Sequence, residues 1–113
     1  MEKEVWYEFV WLPTFERTAK KLLTQEDRRE IERTLCEEVG AGSRIRGTGG
    51  FMKLRLGLRA GKSGGARIIY FPDMPCERVY MVLAYGKPKK DSLTDEEKAE
   101  LKKLANILKN EAC

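Results

Sequence analysis

The chain has no histidine and only three cysteines, Cys36, Cys76 and Cys113. The cysteines are odd in number, far apart and without a CxxC pair, which argues against a disulfide framework and favours a reducing compartment. Three scattered thiols without histidine also argue against a zinc site. The usual general base at neutral pH is missing, so any proton transfer must use Lys, Tyr, Asp, Glu or Arg. We therefore expect no bound metal, no cofactor and a cytoplasmic location.

Long apolar runs are missing too. No stretch approaches the roughly 20 residues that cross a bilayer, and residues 1–4 lack the basic-then-apolar layout of a signal peptide. Hydrophobic residues make up 42% of the chain and charged residues 35%, which is a globular profile rich in charge. The length fits one domain over residues 1–113, and we expect no membrane partner.

Acidic residues are absent from the centre of the chain. No Asp or Glu occurs between Val39 and Pro72, and residues 41–90 carry eleven basic and two acidic side chains. The flanking segments are net acidic, so the net charge of the whole chain is only +4. An ordinary solvated face would mix the two signs, because unneutralised like charges repel. We interpret the central segment as a surface for a polyanion or an acidic partner, since basic clusters commonly bind phosphate.

Apolar periodicity predicts three helices. The first begins at Pro13, which suits the first turn of a helix, and the second begins after the N-cap Thr24. Gly40 and Gly42 are expected to end the second helix. Residues 94–97 have the form of a capping box and begin the third helix near the C-terminus.

Alternating and β-branched segments predict strands at residues 5–10, 52–56, 67–71 and 79–85, and we interpret residues 40–50 as a flexible connection. The last three strands have short links and should be antiparallel. The order β-α-α-β-β-β-α predicts an α+β domain: a small, curved, largely antiparallel sheet with two N-terminal helices and one C-terminal helix. Four aromatic residues near the first strand are expected in the core: Trp6, Tyr7, Phe9 and Trp11.

The strongest local motif is Lys53-Leu54-Arg55. In a strand the two cations lie on one face, roughly 6–7 Å apart, which suits neighbouring oxygens of a nucleic-acid backbone. Arg67 opens the next strand and can lie alongside them. Three cations on one face repel one another, and a ligand would offset that repulsion. The alternative is an ordinary amphipathic edge strand.

Tyr85 and Lys87 end the last predicted strand, and Lys89 and Lys90 follow. An aromatic ring beside cations can stack a base while the cations hold its phosphate. The alternative for Tyr85 is a half-buried sheet tyrosine whose hydroxyl lies in water.

Residues 57–63 imitate a nucleotide-binding P-loop. That motif has four residues between its glycines and opens a helix, whereas three residues separate Gly57 from Gly61 and a strand follows. We interpret the segment as a mobile basic hairpin tip that carries Arg59 and Lys62. Binding of ATP would contradict this interpretation.

Together, these segments resemble the HigB branch of the RelE toxin superfamily. The resemblance spans essentially the whole chain, and its most specific part is the glycine-rich lead into Lys-x-Arg at residues 47–55, joined to Gly-Gly-x-Arg-x-Ile-Tyr at residues 64–70 and Tyr-Gly-Lys at residues 85–87. The family implies a compact microbial-RNase-like fold and membership of a two-gene toxin–antitoxin system. Many members cut mRNA in the ribosomal A site without a metal. Their antitoxin, which in the HigA type often carries a helix-turn-helix domain, masks the toxin and represses the operon.

The resemblance also implies residue roles. Lys53 and Arg55 match the basic positions of the family's central strand, and Arg67 matches the arginine of the following strand. Lys87 lies in the family's strand-end motif, where a further basic residue usually follows. Pro88 follows here, so Lys87 or Lys89 would fill that role. Some members carry a catalytic tyrosine in the C-terminal tail, but this sequence has no tyrosine after Tyr85.

Metal-free RNA cleavage uses the 2′-hydroxyl as nucleophile, and it needs a base, cations for the phosphorane and an acid for the leaving 5′-oxygen. We predict Lys53 as base or electrostatic stabiliser and Arg55 and Arg67 as phosphate holders. Tyr85 would orient a base, and Lys87 would protonate the leaving group. Six further cations are expected to bind RNA: Arg44, Arg46, Arg59, Lys62, Lys89 and Lys90.

The expected partners are mRNA in the ribosomal A site, with contacts to 16S rRNA, and a cognate antitoxin, a helix-turn-helix protein of the HigA type. Three alternatives stay open. A ParE-like toxin would poison DNA gyrase by protein contact, and a degraded member would hold RNA or ribosome without cutting. A DNA-binding regulator is disfavoured, because no helix carries the basic cluster.

Overall fold

A computed structural model describes residues 6–57, 65–86 and 93–113. Within these ranges, three helices and five strands follow one another, with one 3-10 turn before the last strand. In chain order they are β1 Glu8–Trp11, α1 Pro13–Ala19, α2 Gln25–Glu37, β2 Ser43–Arg44, β3 Met52–Leu56, β4 Ala66–Asp73, the 3-10 turn Met74–Cys76, β5 Arg78–Gly86 and α3 Asp95–Lys109. Within these residues, no helix combines the length and the apolar character that crossing a bilayer requires.

The strands form one mixed sheet in the order β1-β5-β4-β3-β2. Strands β2 to β5 are antiparallel neighbours, and β1 lies parallel to β5 at the edge. The α+β class, the three helices and the antiparallel arrangement of the last three predicted strands are therefore confirmed. One strand was not predicted: β2 lies in the segment expected to be a flexible connection. It pairs with β3 through Ser43 and Arg44, and two residues are too few to show a period.

Both predicted N-caps are present. The hydroxyl of Thr24 accepts a hydrogen bond from the Asp27 backbone N–H at 3.0 Å, and the Asp27 carboxylate accepts one from the Thr24 N–H at 2.9 Å. Thr94 and Glu97 form the same reciprocal pair at the start of α3, with distances of 3.2 and 2.8 Å. These bonds satisfy orphan N–H groups of the first turn. Helix α2 ends at Glu37, three residues before the predicted stop.

A hydrophobic layer lies on each face of the sheet. The first layer joins α1 and α2 to one face, through residues that include Phe15, Ile31, Leu35, Leu54, Ile68, Tyr70 and Met81. The second joins α3 to the opposite face, through residues that include Phe51, Ile69, Phe71, Tyr80, Val82, Leu101, Ala105 and Leu108. The prediction of a core position is wrong for Trp6, which is 75% exposed because it precedes the first strand. The other three predicted aromatics are partly buried against the first layer.

The glycine-rich turn before β3 packs against α3. Gly49 has a φ of +78°, and a Cβ atom there would lie 3.1 Å from the Cβ of Ala105. Inside the turn, the Thr48 hydroxyl donates to the Ile45 carbonyl at 2.7 Å and accepts from the Phe51 N–H at 3.2 Å. The glycines of this motif therefore serve a left-handed turn and the close approach of a helix.

The prediction against a disulfide is wrong. Cys76, in the 3-10 turn, is bonded to Cys113 at the chain end, with a Cα–Cα distance of 5.3 Å. Distance along the chain misled the prediction, because the tail after α3 returns to the turn between β4 and β5. Arg78 also holds this tail, since its guanidinium donates to the Ala112 carbonyl at 3.3 Å. Cys36 is a free thiol.

Candidate functional site

Strand β3 presents two cations on the face that α1 and α2 do not cover. Lys53 and Arg55 alternate with Leu54, which is buried in the first hydrophobic layer. The side chains of Lys53 and Arg55 therefore lie on the α3 side of the sheet. There, α3 covers the part of the face that contains Phe51 and Phe71.

On this face, residues that pair across β3, β4 and β5 form two neighbouring rows. Arg55 pairs with Arg67 of β4, and Arg67 pairs with Tyr85 of β5. Directly opposite Cβ atoms lie ~4.5–5.5 Å apart and diagonal neighbours ~7–8 Å, so Lys53 in the next row lies within reach of Arg67. We call Lys53, Arg55, Arg67 and Tyr85 the basic sheet face.

The four side chains differ in burial. Arg55 is exposed, Lys53 and Tyr85 are partly buried, and Arg67 retains 3% of its accessible surface. The Tyr85 hydroxyl oxygen is itself buried, which differs from the alternative of a hydroxyl in water. A guanidinium in a low-dielectric position attracts an anion more strongly than one in bulk solvent. Solvent exposure therefore decreases along the row, from Arg55, whose charge water screens, to Arg67, whose charge is desolvated.

The described strand partners in these two rows include no carboxylate. The described partners in the two rows are Ser43, Ile69, Leu83 and Tyr85, besides the cations themselves. Ile69 is fully buried and gives the face an apolar floor next to Lys53. The arrangement can hold a phosphate above an apolar surface and place an aromatic ring beside it.

Tyr85 reaches this face because β5 contains a β-bulge. Ile69 pairs with Leu83 and Tyr70 pairs with Met81, so Val82 is an extra residue on β5. Both Val82 and Leu83 consequently join the α3 layer, and alternation resumes with Ala84 in the other layer. Strict alternation from Met81 would have turned Tyr85 toward α1 and α2. The bulge re-aims it toward Arg67.

Gly65 fixes where β4 begins beside the end of β3. Its φ is +67°, and a Cβ atom there would lie 2.3 Å from the backbone oxygen of Leu56. Leu56 is paired with Ala66, one step from the pair formed by Arg55 and Arg67. The glycine preceding the Arg67 strand is therefore required by backbone geometry.

Replacing Gly65 with alanine is expected to lower the free energy of unfolding by at least ~2 kcal/mol, because the new Cβ atom meets backbone in a left-handed conformation. Gly57 is the matched control. It follows β3 without a positive φ, and no heavy atom of the described residues lies within 4 Å of a new Cβ, so Gly57→Ala should change stability by less than ~0.5 kcal/mol. Urea unfolding monitored by fluorescence measures both. Equal stabilities for the two variants would contradict the assignment.

The other predicted RNA-binding residues do not all gather here. Arg44 pairs with Met52, whose side chain packs in the α1–α2 layer, so Arg44 lies on the opposite face from Lys53. Arg46 is exposed in the turn after β2. The remaining predicted cations, and the predicted hairpin tip, lie outside the described residues: Arg59, Lys62, Lys87, Lys89 and Lys90.

The sequence did not predict two groups of residues near the site. Lys102 and Lys109 of α3 approach Gly49, within 3.8 and 3.9 Å of a Cβ built there, and so lie over the turn before β3. The second group is a pair of threonines, Thr14 and Thr18, which hydrogen-bond to the backbone of β5 beside the bulge. Their spacing of four residues on a helix is the only sequence feature that relates them. Within the described ranges, no three potential metal ligands from His, Cys, Asp or Glu come together.

The fold is similar to that of solved structures of RelE toxins and RelBE toxin–antitoxin complexes. A free-state structure of E. coli toxin RelE, with two arginines replaced by alanine, matches with a TM-score of 0.52 at 18% identity and covers 83% of this chain and 94% of that chain. A chain of the intact E. coli RelBE toxin–antitoxin complex matches with a TM-score of 0.50 at 18% identity, over 71% and 95% of the two chains. A chain of the RelBE2 toxin–antitoxin complex from Mycobacterium tuberculosis gives 0.51 at 18% identity, over 76% and 97%. At these identities the likeness establishes the fold alone. The sequence matches no protein-family model.

Proposed function

We propose that this protein is the toxin of a toxin–antitoxin system and that it cleaves mRNA on the ribosome with its own side chains. The observation that carries the proposal is the cross-strand row Arg55–Arg67–Tyr85 with Lys53 beside it. The fold shared with RelE structures supports the toxin assignment. The row supports RNA as substrate, because it combines phosphate-binding cations with an aromatic ring.

In this proposal the scissile phosphate lies over Arg67. Arg67 is central in the row and nearly buried, so its guanidinium is held in place before substrate arrives. Two parallel N–H groups can donate to two phosphate oxygens, and their attraction grows as the phosphorane gains negative charge. Arg55, exposed on the neighbouring strand, holds the adjoining phosphate.

The 2′-oxygen attacks the adjacent phosphorus, and the bond from phosphorus to the 5′-oxygen breaks. The products are a 2′,3′-cyclic phosphate and a free 5′-hydroxyl. Lys53 acts as the base for the 2′-hydroxyl proton or as a stabiliser of the developing charge, and Lys87, outside the described residues, donates the proton that the 5′-oxygen takes up. Tyr85 stacks on a flanking base. So sparse a site needs the ribosome to orient the RNA, which explains why free RNA should be a poor substrate.

The partner proposed for neutralisation is a cognate antitoxin. The glycine-rich segments that precede Lys53 and Arg67 favour the HigB branch, and hence a helix-turn-helix antitoxin of the HigA type. The action on mRNA implies a cytoplasmic protein. A small helix-turn-helix reading frame beside the gene, whose co-expression restores growth, is the expected genetic signature.

Induction of the chain in bacteria tests the proposal. New mRNA 5′ ends should appear inside coding sequences within minutes, and they should disappear when translation initiation is blocked. A Lys53→Ala, Arg67→Ala double variant should give none. The matched control is Arg33→Ala with Lys103→Ala, which removes the same charge from exposed positions on α2 and α3. Cleavage at the wild-type level by the first double variant would refute the catalytic assignment.

Two rival functions give other outcomes in the same experiment. A binding-only member would accumulate on ribosomes and leave mRNA intact, and the missing tyrosine after Tyr85 is the sequence feature that favours it. A ParE-like toxin would cause growth arrest with DNA damage and without new mRNA ends.

A further inference from the structure

We propose that Thr14 and Thr18 of α1 are positioning residues that hold the β5 bulge and thereby turn Tyr85 toward Arg67. The expected effect on catalysis rests on the proposed function. The bulge does not, because it is defined by backbone hydrogen bonds. Both threonines act from the far edge of β5, through hydrogen bonds to its backbone.

Strand β1 supports β5 only as far as Met81. The parallel register runs from Glu8 with Arg78 to Trp11 with Met81, and the Leu12 N–H donates to the Met81 carbonyl at 3.0 Å. The chain then turns into α1 at Pro13. From Val82 onward, this edge of β5 has a helix beside it instead of a strand, and a helix backbone offers no ladder of hydrogen bonds.

The two threonines continue the ladder with side chains. The Thr14 hydroxyl donates to the Val82 carbonyl at 2.7 Å, and the Thr18 hydroxyl oxygen accepts from the Ala84 N–H at 3.1 Å. In a regular strand successive carbonyls point to opposite edges. Here the Met81 and Val82 carbonyls both point to the β1–α1 edge, which is the backbone signature of the bulge. Thr14 therefore satisfies the carbonyl that the extra residue creates.

The roles of the two hydroxyls are not interchangeable. The Thr18 hydroxyl faces the carbonyls of Thr14 and Phe15, each at 3.0 Å, so its proton is engaged inside α1 and a lone pair is left for Ala84. Thr14 must donate and Thr18 must accept. Burial of Phe15 and Ala19 also attaches α1 to the sheet, but apolar contact is not directional and cannot select which residue of β5 is the extra one.

Loss of both hydroxyls should release the bulge. Without it, β4 and β5 pair in the regular register, which exchanges the faces of Ala84 and Tyr85. Tyr85 would then leave the row that contains Arg67. We therefore expect a fall in kcat with KM for ribosome-bound mRNA nearly unchanged, because the cations of β3 and β4 stay in place.

The test compares Thr14→Val, Thr18→Val with the conservative Thr14→Ser, Thr18→Ser and with Thr34→Val, a change on α2 away from β5. In a reconstituted translation system, the valine pair should lower kcat roughly tenfold with KM within ~2-fold, while the serine pair and the α2 variant stay near wild type. In a Tyr85→Ala background the valine pair should add less than ~2-fold, since both changes remove the same contribution. An undiminished loss in that background, or a serine pair as poor as the valine pair, would overturn the positioning role.

Hydrogen exchange of the Ala84 amide separates this inference from the proposed function. The valine pair should increase its exchange rate at least ~10-fold, and the serine pair should preserve its protection. That result would support the bulge assignment even if the wild-type chain left mRNA intact, an outcome that would refute only the proposed function. Unchanged Ala84 protection in the valine pair would overturn the inference by itself.

Discussion

Replacing Arg67 with methionine is expected to lower the rate of mRNA cleavage by at least ~100-fold, the loss typical of removing one transition-state donor. Arg55→Met should lower the rate by only ~3–10-fold. The two arginines are cross-strand partners with the same charge. They differ in burial, since Arg67 retains 3% of its accessible surface and Arg55 is exposed. A desolvated cation stabilises developing charge more strongly than one surrounded by water.

Salt dependence distinguishes the two contributions further. Mobile ions screen an exposed cation, with a Debye length of about 8 Å at physiological ionic strength, and they screen a buried one much less. The deficit of Arg55→Met should therefore shrink as salt is raised, whereas the deficit of Arg67→Met should persist. Single-turnover cleavage of a defined mRNA on ribosomes, followed across a salt series, measures both effects.

Arg67→Lys is the control that keeps the positive charge but removes the planar guanidinium. It should recover part of the activity, because an ammonium keeps the charge but cannot donate two parallel hydrogen bonds. Thermal unfolding of each variant reports whether a loss of activity reflects a loss of fold. Equal cleavage deficits for Arg55→Met and Arg67→Met in folded proteins, at every salt concentration, would contradict the central role of Arg67.

The parts of the fold that could be predicted are those that local chemistry determines. Thr24 and Thr94 predict the starts of their helices, because a hydroxyl followed by an acid three residues later can satisfy the unpaired N–H groups of the first turn. The facing of Lys53 and Arg55 follows from alternation around Leu54. Strand β2 was missed because its two residues are set by pairing with β3, which no local pattern reveals.

The candidate site was predictable only along single strands. Alternation predicts the side of Lys53 and Arg55, but the side of Tyr85 depends on the extra residue Val82. That residue is placed by hydrogen bonds from a helix 68 positions earlier in the chain, through Thr14. Sequence periodicity carries no information about such a distant contact, so the role of α1 could not be anticipated. The burial of Arg67 is likewise a property of the assembled fold.

Breaking the bond between Cys76 and Cys113 is expected to lower the free energy of unfolding by ~3–4 kcal/mol, because the link closes a loop with a sequence separation of 37 and restricts the unfolded chain. For a domain of this size the melting temperature should fall by roughly 10–20 °C. The loop contains β5 and the whole of α3. Breaking the disulfide should therefore weaken mainly the packing of α3 on Phe51 and Phe71.

Cys113→Ser and the wild-type chain under reductant should show the same lowered melting temperature, and reductant should not lower that of Cys113→Ser further. Cys36→Ser is the matched control, since it removes a thiol that is free and partly buried in α2. Amide exchange should increase in α3 before it increases in β3 and β4, because the bond from Arg78 to Ala112 would then be the described hydrogen bond that still ties the tail to the sheet. A wild-type melting temperature that ignores reductant would show that the two sulfurs do not share a bond in solution. The tail would then depend on packing of α3, and the stability of the fold would be set by the two hydrophobic layers.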